Sequence, residues 1–218
     1  MQKGLFLTIE GMDGVGKGTQ LEFIKSYLSF CNIGFICLRE PGGTKIGEAI
    51  REILLDVENA NMSDETELLL FNAARAQLVR EKINPNLDAG IWVISDRFYD
   101  STLAYQVGGR GLAEREALEI INFACGGLKP DLTLYLDLDE AEADERLGKR
   151  ANETQENPDR LESAEMGFDS RVRKKYLEMA EHEDRIKTIS AAGSVEEVSL
   201  RIKLALDEAI KSYRLLGN

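Results

Sequence analysis

Between an apolar run, Leu5-Phe6-Leu7-Thr8-Ile9, and a stretch in which Leu21, Ile24 and Leu28 recur at helical spacing, the chain reads Glu10-Gly11-Met12-Asp13-Gly14-Val15-Gly16-Lys17-Gly18-Thr19-Gln20. No other feature restricts the fold as strongly. The apolar run suits a buried parallel strand, and residues 17–30 suit an amphipathic helix. Gly11, Gly14 and Gly16 permit backbone with positive φ and the close approach of an anion. The helix that follows offers unpaired N-terminal amides and the positive end of its dipole, and Lys17 adds a mobile point charge. Strand, glycine loop, lysine and helix in this order make a phosphate cradle of the P-loop type. One position departs from the pattern. Where Ser or Thr would follow the lysine and coordinate Mg²⁺, the chain has Gly18.

Downstream, strand-like and helix-like segments alternate. Residues 33–38, 91–97, 132–136 and 186–189 read as further strands, and Ile46, Ile50, Ile53 and Leu54 mark a helix. Ser63, with Asp64 and Glu65 behind it, reads as an N-cap with first-turn carboxylates, opening a long helix that ends near residue 83. Further helices are predicted over about 114–124 and 163–181, and the capping box Ser194-Val195-Glu196-Glu197 opens the last. Gly108-Gly109-Arg110-Gly111 reads as a flexible turn. The alternation predicts a three-layer α/β/α fold with a five-stranded parallel sheet, in a single domain over 1–218.

Composition narrows the function classes. With 43% hydrophobic and 30% charged residues the chain has the makings of a soluble globular domain, and its net charge of −12 argues against binding a nucleic acid polymer. Cys31, Cys37 and Cys125 show no metal-ligand spacing and suit buried thiols in a reducing cytoplasm. His182 lies in a polar helical stretch and reads as solvated, and no leader or membrane-spanning segment is visible.

Chemistry-bearing residues gather at the predicted strand ends, the edge where open α/β sheets bind ligands. Arg39-Glu40-Pro41-Gly42-Gly43-Thr44 follows the second strand, and its Pro-Gly-Gly forces a loop. Phe71 and Arg75, four apart, place a ring and a guanidinium on one helix face, either as core aromatic with surface cation or as a ligand-binding pair. Asp96 and Arg97 end the third strand, with Ser101, Tyr105 and Gln106 close behind; Asp96 suits the shell of a Mg²⁺ ion or the cap of the next helix. Residues 137–145 read as a solvated acidic helix face. Arg146, Lys149 and Arg150 then flank a polar stretch, and residues 147–161 read as a mobile lid over phosphates or as a surface linker.

With these residues in view, the sequence resembles the thymidylate kinases, nucleoside monophosphate kinases that phosphorylate dTMP. The resemblance rests on the glycine loop, the Arg39–Thr44 loop, Phe71-Asn72-Ala73-Ala74-Arg75, Asp96-Arg97-Phe98 with Ser101, Ala104-Tyr105-Gln106, and Pro130-Asp131-Leu132-Thr133-Leu134-Tyr135-Leu136. It implies the P-loop monophosphate kinase fold, ATP and dTMP as substrates, dTDP and ADP as products on the way to dTTP, Mg²⁺ as cofactor, a homodimer and a cytoplasmic location. It also implies residue roles. Gly11, Met12, Asp13, Gly14, Val15, Gly16, Lys17, Gly18 and Thr19 would bind ATP, with Arg146 against adenine. Asp13, Arg39, Phe71, Arg75, Arg97, Ser101, Tyr105 and Gln106 would bind dTMP, with Phe71 stacked on thymine and Arg75 on the base edge. Lys17, Arg97, Asp13 and the lid residue Arg150 would be catalytic, as in the bacterial-type branch, and Asp96 and Asp13 would hold Mg²⁺. Gly-Lys-Gly-Thr-Gln is also the form seen in adenylate kinases, so another monophosphate kinase is the nearest alternative. A GTP-binding switch is a second alternative, opposed by the lack of an Asn-Lys-x-Asp motif.

Overall fold

The computed structural model describes the backbone of residues 2–154, 160 and 167–216, and their side chains except at 150–154 and 216. Strands β1 (Phe6–Glu10), β2 (Phe35–Arg39), β3 (Trp92–Asp96), β4 (Leu132–Asp137) and β5 (Ile186–Ser190) form one parallel sheet in the order β2-β3-β1-β4-β5. The expected five parallel strands are present, with ends displaced by one or two residues. β1 is buried at every residue, which is why Phe6–Ile9 reads as an apolar run; Thr8, at its middle, pairs its hydroxyl with that of Thr133 at 2.7 Å. The edge strands β2 and β5 are partly open to solvent. Register brings the strand ends level: Asp96 lies beside both Ile9 and Arg39, and Glu10 beside Tyr135.

The helices are α1 (Lys17–Phe30), α2 (Lys45–Leu55), α3 (Asp64–Leu78), α4 (Asn84–Asp88), α5 (Tyr99–Thr102), α6 (Glu114–Cys125), α7 (Glu140–Thr154), α8 (Phe168–His182) and α9 (Val195–Leu216). They flank a core in which Leu7, Ile9, Ile24, Val93, Leu134, Val172 and Ile202 have no exposed surface. Local signals act as expected. Thr44 caps α2 through the Gly47 amide, Ser63 caps α3 through that of Thr66, and Ser194 and Glu197 exchange side-chain and backbone bonds at the start of α9.

Four expectations change. The helix opened by Ser63 does not stop near residue 83: it widens into a π turn over Val79–Ile83 and runs on as α4, because Pro85 has no amide hydrogen to give the preceding turn. Gly108 and Gly109 are not a flexible turn. They belong to a second π turn, Leu103–Gly109, and a Cβ at 109 would stand 2.5 Å from the Phe168 ring, so glycine is there to let α8 pack close. α7 remains helical through Thr154, carrying helix into the first half of the lid assigned to 147–161; the pairs Glu142–Arg146 and Glu145–Lys149, both at 2.7 Å, support its polar surface. Residues 155–159 and 161–166 of that lid and of the next predicted helix lie outside the described residues, and α8 itself begins at Phe168. Cys125 is buried as expected, but Cys31 and Cys37 are only half-buried; His182 is exposed.

Candidate active site

The glycine loop leaves β1 at Glu10 and enters α1 at Lys17, with Gly14 at φ 80° and Gly16, the helix N-cap, at φ 91°. A Cβ at Gly14 would also meet the Ala143 carbonyl oxygen at 2.5 Å, so backbone and space both demand glycine. Met12 and Val15 send their side chains into the core, leaving only their backbone groups for a ligand. Gly16 caps α1 without a side chain, which leaves the first-turn amides to an incoming anion. Lys17 is folded back on the loop: its Nζ donates to the carbonyl oxygens of Gly11 (3.0 Å) and Met12 (2.7 Å) and to Asp13 Oδ1 (3.2 Å).

Asp13 joins this lysine to the end of β3. Arg97 has left-handed backbone, φ 70°, a conformation that costs an L-residue about 1–2 kcal/mol. Its amide donates to the Ile9 carbonyl at 3.0 Å, Nη2 to Asp13 Oδ1 at 2.8 Å and Nη1 to Ser101 Oγ at 3.2 Å, while the guanidinium lies 5.1 Å from the Tyr105 ring centre. Burial works to raise the Asp13 pKa, but the charges of Arg97 and Lys17 outweigh it and hold the carboxyl well below its ordinary value. Burial and the neighbouring Arg97 push the Lys17 pKa down, against the pull of Asp13 and Asp96. Beneath them Glu10, fully buried, accepts from the Phe98 amide (2.7 Å), Ser101 Oγ (2.6 Å) and Tyr176 Oη (2.8 Å). Burial first, then the charge of Asp100, pushes its carboxyl up to about 7.

One cavity of about 560 Å³ runs from the glycine loop to the face of α3. Asp13, Gly14, Gly16, Lys17, Gly18 and Thr19 line one end, and Arg39, Phe71, Arg75, Asp96, Arg97, Ser101, Tyr105 and Gln106 line the rest. Most of the sequence-predicted residues therefore meet in one place; Gly11, Met12 and Val15 do not line it. Arg39 reaches Glu48 at 2.8 Å in a half-exposed pair, a contact weak enough to yield to a phosphate. Arg75 is a buried cation rather than a surface one, at 1% exposure. Its Nε and Nη2 reach Glu40 Oε2 (2.8 and 2.7 Å), and its Nη1 reaches Asn72 Oδ1 (3.1 Å) and Thr102 Oγ1 (2.9 Å). Of the five N–H groups of a guanidinium, that leaves a single one on Nη2 for a ligand. Arg146 also borders the cavity, bonded to Glu142 and to the Ala191 carbonyl. The side chain of Arg150 lies outside the described residues.

Among the described residues no cluster of three or more His, Cys, Asp or Glu is placed to hold a metal ion. Among the described residues, however, Asp96 Oδ1 is buried at the cavity with no hydrogen-bond partner, and an acceptor left so suits a cation that arrives already bound to nucleotide phosphates. Asp13 is committed to Arg97 and Lys17, which makes it the weaker of the two proposed ligands.

Three supporting residues had no assigned role in the sequence. Glu40 sits inside the Arg39–Thr44 loop, but nothing local says that it pairs with a residue 35 positions away. Glu10 closes β1 and props Ser101 from below. Glu67 precedes Phe71 by four and Arg75 by eight on α3, a spacing that could have put it on the same helix face.

Comparison with known proteins places the sequence in a family. The family model for thymidylate kinase matches residues 9–202. The chain is 42% identical over 207 residues to the thymidylate kinase of Vesicomyosocius okutanii, covering 94% of this chain and 98% of that one. It is 44% identical over 198 residues to that of Lactobacillus delbrueckii subsp. bulgaricus (90% and 92% covered), and 49% identical over 179 residues to that of Desulforudis audaxviator (81% and 78%).

Proposed function

This chain belongs to the thymidylate kinase family, and we propose that ATP lies on its glycine loop while dTMP lies between Arg39, Phe71, Arg75 and Gln106. The protein is a phosphotransferase with a phosphate acceptor (dTMP kinase, EC 2.7.4.9): the γ-phosphoryl group of ATP passes to dTMP, giving dTDP and ADP for dTTP synthesis. The acceptor is already an anion, so no general base is needed, and mutual repulsion of the two substrates is the main obstacle. Lys17 exchanges its carbonyl partners for the β- and γ-phosphates, an exchange made easy because all three of its present contacts lie within the loop. Arg97, aimed by Asp13 and Ser101, and Arg39, leaving Glu48, grip the dTMP phosphate. Arg150 would reach the transferring group and the proposed lid, at about 147–161, would exclude water; the Arg150 side chain, like most side chains of that stretch, lies outside the described residues. Mg²⁺ supplies Lewis-acid neutralisation of the phosphates when bound with ATP; Asp96 and then Asp13 would hold it, since Gly18 has no hydroxyl.

The observation that carries this assignment is the single cavity in which a helix N-terminus and Lys17 face Arg39, Arg97 and the Phe71–Arg75 helix face. A coupled ADP assay with dTMP, AMP, UMP and CMP as acceptors, with and without Mg²⁺, tests it. dTMP is expected to be the preferred acceptor and Mg²⁺ to be required; dTMP left unaltered would overturn the assignment. The proposal extends to a cytoplasmic homodimer. Leu69 on α3 and Phe123 on α6 are exposed apolar side chains that a second copy would cover, all three thiols are free, and among the described residues no helix is long and apolar enough to cross a membrane.

A further inference from the structure

Glu67 is 1% exposed and has no part in the phosphate chemistry, yet three donor side chains from two separate stretches of chain converge on it. Gln106 Nε2 donates to Oε1 at 2.9 Å, and Arg110 donates from Nε to Oε1 and from Nη2 to Oε2, both at 3.3 Å. Arg160 Nη1 lies 2.7 Å from Oε2, and the Nε of the same arginine is tied to the Leu54 carbonyl at 2.8 Å. Burial works to raise the Glu67 pKa, but the Gln106 and Arg110 hydrogen bonds and the two guanidiniums hold it below its ordinary value. An ionised carboxylate can only accept. The Gln106 amide must therefore turn its NH₂ toward Glu67 and its carbonyl oxygen away. Gln106 is itself 3% exposed and borders the cavity beside Thr102 and Tyr105, so the sense of its amide decides whether an acceptor or a donor is offered there.

We infer that Glu67 is a positioning residue for base choice: by fixing the Gln106 amide with its oxygen outward, it selects pyrimidines that carry a ring N–H over cytosine, which has a lone pair at that ring position. The inference rests on the proposed seat of dTMP against Gln106. It adds a second discriminating contact to the one N–H that Arg75 has left for the base. A carbonyl oxygen facing the cytosine lone pair puts two acceptors together, a mismatch that neither can relieve by rotating while Glu67 holds the amide.

The test compares kcat/KM for dTMP, dUMP and dCMP in the wild type, Glu67→Gln, Gln106→Met and the double variant. In Glu67→Gln the new amide accepts either orientation of its neighbour, so the preference for dTMP over dCMP should fall by about tenfold or more. The ratio of dTMP to dUMP should stay within about twofold, because both bases carry the ring N–H. Gln106→Met keeps Glu67 and its arginines paired and should show the same loss, and the double variant should add no further loss. If Glu67→Gln does not fold, judged by its thermal melt, Gln106→Met decides the matter. A dTMP to dCMP ratio unchanged in Gln106→Met or in folded Glu67→Gln would overturn the inference, as would a parallel fall in the dTMP to dUMP ratio, which would mean a generally loosened pocket. A wild type that leaves dTMP unphosphorylated would instead sink the functional assignment.

Discussion

Arg75→Met and Glu40→Gln remove opposite halves of one buried ion pair, and the structure predicts that the two losses differ in their dependence on pH. Both side chains are dry, at 1% and 3% exposure, with Arg75 Nε and Nη2 2.8 and 2.7 Å from Glu40 Oε2. Removing one partner leaves the other charge buried, a cost of about 3–5 kcal/mol. For a chain of this size that is a fall in melting temperature of about 6–20 °C. The guanidinium left by Glu40→Gln stays charged at any workable pH and the variant has no carboxyl to titrate, so its deficit should be largest near pH ~5 and narrow as pH rises, because the wild type loses stability through its own raised Glu40. The carboxyl left by Arg75→Met can escape its penalty by taking up a proton. Burial already pushes Glu40 above its ordinary 4.5, with Arg75 opposing, and loss of Arg75 pushes it further. A group whose folded-state pKa lies above its unfolded one gives stability that is full below the unfolded value and lost as pH rises through the folded value, by about 1.4 kcal/mol per pH unit. The Arg75→Met deficit should therefore be small at about pH 5 and grow toward pH 8 until it approaches that of Glu40→Gln. Thermal melts of the three proteins across this range measure it. Parallel pH profiles for the two variants, or a loss below about 3 °C in both, would show that the pair is not sealed from water.

Three other perturbations test separate parts of the site. Arg150→Ala should lower kcat by about a hundredfold, while the dTMP dissociation constant, measured by calorimetry, moves by less than about threefold; equal effects on both would remove Arg150 from the transferring group. Gly18→Thr adds a Cβ that meets nothing within 4 Å, and it supplies the hydroxyl that the loop lacks. Half-maximal activity should then need severalfold less Mg²⁺, with no fall in melting temperature because threonine is the better helix former; an unchanged Mg²⁺ requirement refutes the expectation. Glu10, raised from 4.5 to about 7, gives stability that is full below about pH 4.5 and lost as pH rises through about 7, on the order of 3 kcal/mol in all. Glu10→Gln removes that titration, so the wild-type melting temperature should decline relative to the variant over this interval, and parallel curves would contradict it.

What could be read in the sequence was fixed by near neighbours along the chain. The glycine loop is legible because each glycine meets a backbone demand set within a few residues, as Gly14 does at φ 80°. β1 and β4 are legible because strands with both faces covered need no polar alternation. The Phe71–Arg75 face follows from helical spacing alone, although spacing could not tell a buried arginine from an exposed one.

The rest depends on partners far apart in sequence. Gly109 reads as part of a flexible turn until Phe168 is seen packed where its side chain would be. The helical backbone of α7 through Thr154 is hard to see in sequence because a stretch without large apolar residues looks unstructured, whereas good helix formers and Glu–Lys or Glu–Arg pairs four apart can sustain a helix. Glu40 and Glu67 are silent in the sequence for a related reason. A carboxylate on a helix or in a loop is usually solvated, and only the arrival of Arg75, Arg110 and Arg160 from distant segments shows that these two are buried acceptors. The site thus has two parts with different visibility: groups that touch phosphate announce themselves by local pattern, while the acids that aim Arg75 and Gln106 become legible only when the chain has folded.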